Sequence, residues 1–170
     1  MKYMNLRNQA GTSLIEIGVT IVIMAIGLLG LAGLQGNSLR FLKTASQRSE
    51  AVQAAYDISD RMRANSVGLN NYIYTTPYAS TIAATPSIPS CTPSCTATDI
   101  ANIDIATWLQ NLAFRLNGGA GYVVANAVGG YDVTVMWQEA GYVDVDPACP
   151  AGNPPAPGVG VRCFTVRFTP

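Results

Sequence analysis

Histidine is absent from this 170-residue chain, and charge is scarce, with ten basic and ten acidic residues making up 12% of the sequence. The first absence removes Ser-His-Asp and Cys-His catalysis, since both need an imidazole to carry a proton near neutral pH. The second, with a formal net charge of zero, leaves no basic patch for nucleic-acid phosphates. Proline is missing between Thr12 and Thr76, so nothing forces a kink in a helix through that stretch. Charge is missing from Ile17 through Leu39. A helix of that length reaches about 35 Å, against a hydrocarbon core of about 30 Å.

The uncharged run therefore reads as a membrane span. A secretory signal peptide fits less well, because its apolar core is shorter and ends at a small-residue cleavage site. Lys2 and Arg7 before the span favour a cytoplasmic N-terminus, although Arg40 and Lys43 follow it on the other side. One charge, Glu16, stands at the very start of the run. A carboxylate there is costly in lipid unless it is paired, which marks it as a functional candidate. Glycines 18, 27, 30, 33 and 36 let helices approach closely in a membrane, or are simply common in spans.

The segment GTSLIEIGVTIVIMAIGLLGLAGLQ, from Gly11 to Gln35, resembles the class III signal of type IV prepilins and pseudopilins. The resemblance implies that a prepilin peptidase cuts between Gly11 and Thr12 on the cytoplasmic side and that the Thr12 amine is methylated. The apolar helix then stays with the mature chain, with Glu16 as its fifth residue and the counter-charge for the amine of a neighbouring subunit. Thr12 departs from the phenylalanine usual at that position. AIGLLGLAGLQ, AYDISDRMRAN at 55 to 65, DIATWLQNL at 104 to 112 and YDVTVMW at 131 to 137 narrow the similarity to the minor pilins of type IV pili. Residues 1–11 are then a cleaved leader, 12–39 the transmembrane half of a long helix, and 40–170 a periplasmic head carrying its amphipathic half. The implied partners are other minor pilins, the major pilin, the prepilin peptidase and the inner-membrane assembly platform, with no cofactor and no enzymatic activity. The mature chain would lie in the bacterial inner membrane and then in the filament or its tip. A minor pseudopilin of a type II secretion system shares this plan, and the DRMRAN and ATWLQNL segments favour the pilus.

Four cysteines, Cys91, Cys95, Cys149 and Cys163, lie beyond the span. In an oxidising compartment an even count reads as two disulfides. Four thiolates could also hold zinc, but the spacings x3, x53 and x13 lack paired short knuckles. Of three possible pairings the sequence-local one is favoured, Cys91 with Cys95 and Cys149 with Cys163, since the second closes a loop rich in proline and glycine. No metal is expected.

The rest of the chain predicts an α+β head. Ala51, Ala55, Ile58 and Met62 recur at helical spacing and should pack on a sheet, with Arg61 and Arg63 in the last turn and Asn65 and Gly68 ending the helix. Residues 66 to 98, rich in Ser, Thr, Pro and Ala, read as a long connecting loop pinned by the first cysteine pair. A second helix follows, capped by Thr98 or Asp99, striped by Ile105, Leu109, Leu112 and Leu116, and stopped by Asn117, Gly118 and Gly119, with Trp108 in the core. Strands are expected at 122–125, 131–137 and 161–168, with Gly129 and Gly130 turning the first into the second. Tyr131, Val133, Val135 and Trp137 share one face of the second strand, and Phe164, Val166 and Phe168 one face of the third. Those faces should meet the long helix.

Two carboxylate pairs remain as enzymatic options, Asp57 with Asp60 on a helix and Asp144 with Asp146 on a strand, and the second pair could also bind calcium. Such pairs are more often solvated surface. Tyr72, Tyr74 and Tyr78 could form an exposed aromatic cluster on a tip adhesin or surface sensor, or anchor the loop to the head.

Overall fold

A computed structural model describes residues 13–76, 78, 86–92, 94–150 and 158–170. In chain order it holds helix α1 (Leu14–Ala64), a 3-10 helix (Ser66–Tyr72), helix α2 (Ala97–Arg115) and strands β1 (Ala120–Ala125), β2 (Tyr131–Gln138) and β3 (Val161–Phe168). The strands form one antiparallel sheet in the order β1-β2-β3. This is the α+β pilin plan. The chain divides into two compact units, Met1–Lys43 and Thr44–Pro170.

In the second unit the helical stripe is buried as its spacing predicts: Ala51, Ala55, Ile58 and Met62 are sealed from solvent. They share one core with Trp108, Leu109 and Leu112 of α2 and with Val123, Val133, Val135, Trp137 and Phe168 of the sheet. Small residues on α1 allow this. Trp108 fills the space beside them and donates its indole N–H to the Ala54 carbonyl at 2.9 Å, which satisfies the one polar atom of a fully buried ring. Gly121 on β1 is the counterpart, because a Cβ there would collide with the Trp108 ring. Gly129 and Gly130 turn β1 into β2 with φ of 104° and 80°, a region that favours glycine.

Several boundaries differ from the sequence reading, among them the end of β2, which runs one residue further to Gln138. Residues 66 to 72 are a 3-10 helix rather than loop, and Tyr74 pairs with Val123 at the outer side of β1. Gly68 makes the tight segment possible, since a Cβ would meet the Asn65 side chain at 2.6 Å and the Ala97 carbonyl at 2.7 Å. The cap of α2 is Thr96, not Thr98 or Asp99. Its hydroxyl accepts from Asp99 N–H at 3.2 Å while the Asp99 carboxylate accepts from Thr96 N–H at 2.9 Å, a reciprocal box that needs an acid three residues after the cap. β1 also begins two residues early, at Ala120.

A polar node joins the end of α1, the 3-10 helix and α2. Arg61 donates to Asp104 at 3.1 Å and to Asp57 at 3.1 Å, and the Tyr72 hydroxyl donates to the other Asp104 oxygen at 2.6 Å. Asn65 bridges to the Ala97 carbonyl at 2.7 Å. Burial first, and then the bond to Asp104, pushes the Tyr72 hydroxyl up from 10.0 to about 12.

The far side of the sheet carries a second, smaller core: Tyr122, Met136, Val161 and the Cys149–Cys163 disulfide. Asp146 organises that bridge. One carboxylate oxygen accepts from Ala148 N–H at 3.0 Å and the other from Cys163 N–H at 3.2 Å. The second disulfide, Cys91–Cys95, closes a short ring immediately before Thr96.

Two expectations follow from this packing. The Tyr72→Phe variant loses the bond to Asp104 and should be less stable by about 1–3 kcal/mol in thermal or denaturant unfolding of the detergent-solubilised chain. Because the folded state holds the Tyr72 proton more tightly than the unfolded one, the stability this group contributes is present below pH 10 and is lost as pH rises toward about 12. The variant's stability should fall less steeply across that window. Replacing Cys149 and Cys163 by serine should cost about 3 kcal/mol, and replacing Cys91 and Cys95 about 2 kcal/mol, by loop-closure entropy. Unfolding midpoints of the two double variants measure the difference.

Candidate functional site

Gly11 and Thr12 lie outside the described residues. The description begins at Ser13, whose carbonyl accepts from Glu16 N–H at 2.9 Å and Ile17 N–H at 3.3 Å as α1 starts. Glu16 sits in the first turn, where a negative charge suits the positive end of the helix dipole. From Leu14 through Leu39 it is the one charged residue. The helix has a mean hydropathy of 2.5 over its most apolar 18 residues, none of them buried, so it is long and apolar enough to cross a membrane. Thr20, the other polar group of the early turns, folds its hydroxyl onto the Ile17 carbonyl at 2.8 Å. Glu16 makes no such internal bond among the described contacts. Its chemistry is that of an exposed carboxylate on an apolar helix, able to bind a cation brought to the same depth and expensive to leave alone there.

The alternative sites are occupied by the fold. Asp57 pairs with Arg61 at 3.1 Å and Asp60 with Arg63 at 2.6 Å, both as neighbours along α1. Asp144 and Asp146 lie on an irregular segment, not on the strand the sequence predicts. Asp146 is committed to the backbone N–H groups of the disulfide loop, and Asp144 is exposed. No group of three or more potential metal-ligating side chains forms among the described residues. All four cysteines are disulfide-bonded, with Cα separations of 5.2 Å for Cys91–Cys95 and 5.0 Å for Cys149–Cys163.

The three tyrosines do not make an exposed cluster. Tyr72 is fully buried and Tyr74 packs at the edge of the main core. Tyr78 packs on the smaller core and donates to the Gly118 carbonyl at 3.0 Å. They anchor the connecting segment, and the adhesin reading loses its aromatic surface. A groove of about 300 Å³ lies between α1 and α2, floored by Trp108 and Leu112. Its charges already pair with each other, Arg115 with Glu50 and Arg61 with Asp57.

The node centred on Asp104 was not among the sequence candidates. Its signal was present: an acid at 104 falls between Ala101 and Trp108 on the buried side of α2, where a carboxylate needs a partner.

With this geometry described, the family model given as "Tt1218-like: Type IV pilin Tt1218" matches residues 33–106. The matched stretch runs from the end of the apolar run to the middle of α2 and includes Arg61, Asn65, Tyr72 and Asp104. It supports a type IV pilin family, and with it a subunit of a pilus. Comparison with curated proteins and with solved structures finds no match.

Proposed function

We propose that the chain is a minor pilin, resembling the type IV pilus modification protein PilV, that helps initiate and assemble a type IV pilus. The observation that carries this reading is the single carboxylate, Glu16, in the first turn of a helix otherwise uncharged to Leu39. The pilin family match over the following residues supports it. In the proposed mechanism the leader 1–11 is removed by the prepilin peptidase and the Thr12 amine is methylated. The helix stays in the inner membrane with the head in the periplasm. Glu16 then draws in the N-terminal amine of a neighbouring pilin. In a water-poor setting that attraction is strong, and a subunit docked one step out of register leaves both charges unpaired. The carboxylate thus selects position as well as partner. Other minor pilins, the major pilin and the inner-membrane assembly platform are the proposed contacts.

Two measurements test this. Intact-mass analysis of the mature chain should find it beginning at Thr12 with one methyl group; a chain beginning after Leu34, or one retaining Met1 in cells with active peptidase, contradicts the reading. The Glu16→Ala variant should be inserted and cleaved normally, yet fall by about tenfold or more in sheared pili relative to the membrane fraction. Glu16→Asp should recover part of that loss. Wild-type incorporation of Glu16→Ala would remove Glu16 from the docking step.

A further inference from the structure

Among the described residues the sheet has three strands, and segments of the chain close most of its two sides. In an antiparallel pair, residues whose N–H and C=O face the neighbour alternate with residues whose groups face away. Two observed bonds fix that alternation here. On β1, Val123 faces away from β2, because it exchanges bonds with Tyr74 at 2.8 and 2.9 Å. On β3, Cys163 faces away from β2, because its N–H reaches Asp146. Thr165 and Arg167 share its parity, so their N–H and C=O groups also point out from the sheet.

The first half of that outer side is occupied. Just before β3 Gly160 N–H donates to the Asp144 carbonyl at 3.1 Å, and Cys163 N–H is held by Asp146 at 3.2 Å. Beyond Cys163 the pairing stops. Thr165 and Arg167 are exposed, and among the described residues their outward backbone groups meet no partner. The main core thins at the same place. Phe164 and Val166 point to the core face of β3 but are only partly buried, packed at its rim. A fourth strand beside β3 would both satisfy the outward groups and cover these two side chains.

Charge defines what that strand carries. At the open end Arg63 lies over the Phe168 ring at 5.0 Å, on the core face, and Arg167 stands on the opposite face. Each guanidinium is more than half exposed and bonds a single carboxylate, Asp60 and Asp132 respectively. Donors remain on both faces for an acidic neighbour.

We propose that residues 165–168 of β3 accept an extended segment of a second pilus subunit as a fourth strand. Its apolar residues alternate toward Phe164 and Val166, and a carboxylate faces Arg63 or Arg167. The partner's identity as a pilus subunit rests on the function proposed above; the open edge does not.

Photo-crosslinking in piliated cells tests the edge, with a photoreactive residue at Thr169 in the full-length chain and, as control, at the exposed Val128 in the β1–β2 turn. Mass spectrometry should place the Thr169 adduct on a segment of alternating apolar and polar residues with an acid. In the Thr165→Pro chain, which removes an outward N–H without breaking a backbone bond to β2, though it gives up the Thr165–Thr134 hydroxyl bond at 2.8 Å, the adduct should fall about tenfold. Arg167→Glu should also lower it, which decides the matter if the proline variant fails to fold. An adduct no stronger at Thr169 than at Val128, one mapped to a helix, or one unchanged in both variants overturns the proposal. An adduct on such a segment of a protein outside the pilus keeps the edge and removes the subunit reading.

Discussion

One carboxylate, Asp104, fixes how three helical segments of the head meet. Arg61 comes to it from α1 and Tyr72 from the 3-10 helix, each on its own oxygen. Take it away and a buried phenol and a half-buried guanidinium lose a partner together, at about 1–3 kcal/mol for each unsatisfied group. The geometry of α2 depends on this anchor. With Asp104 set, Trp108 one turn later faces α1, where it bonds the Ala54 carbonyl, and lies over Gly121 of β1. The polar node and the apolar core are thus one constraint, carried along α2 from Asp104 to Leu112.

That dependence links two segments that stand far apart in the sequence. AYDISDRMRAN supplies Arg61 and Asn65, and DIATWLQNL supplies Asp104 and Trp108. These are two of the four segments on which the resemblance to minor pilins rests, and in space they bond each other. The local features of the head were legible: stripe spacing on α1 and α2, alternation on β2 and β3, and the glycine pair between β1 and β2 each need only a few neighbouring residues. Asp104 was not, because its partners lie 43 and 32 positions away and nothing local says that they converge. The cap of α2 was missed for a different reason. Thr96, Thr98 and Asp99 are all cap formers, and the choice turns on Asp99 reaching back to Thr96. The 3-10 helix hid because Ser, Gly and Asn read as loop until Gly68 is seen to admit the Asn65 side chain and the Ala97 carbonyl.

At the start of the chain Glu16 was legible because of what surrounds it. A charge among many says little, whereas one charge at the edge of an apolar run states a cost that something must offset. The same helix changes its composition after Lys43, from Ile, Val, Leu and Gly to an Ala-rich stripe. Bulky β-branched residues suit contact with lipid or with other helices. Alanine suits contact with a sheet, where Ala51 and Ala55 bring the backbone close enough for Trp108 to reach the Ala54 carbonyl. One uninterrupted helix therefore meets two different demands, and the missing prolines let it do so without a break.

The sheet shows where such a head stops stabilising itself. Three strands bury one good face and part of another. The chain spends Tyr74 on the outer side of β1, Asp144 on Gly160 just before β3, and a disulfide and Asp146 on the first half of β3. Each device lies where the backbone groups would otherwise face water beside a core. The last turn of that logic falls at Thr165, where outward groups and half-covered apolar side chains coincide and no segment of the described chain arrives. A protein acting alone would gain by blunting this edge with proline or with a charge pointed into the sheet. A subunit meant to be flanked has reason to leave it as it is, because the strand that completes the sheet can then come from a neighbour.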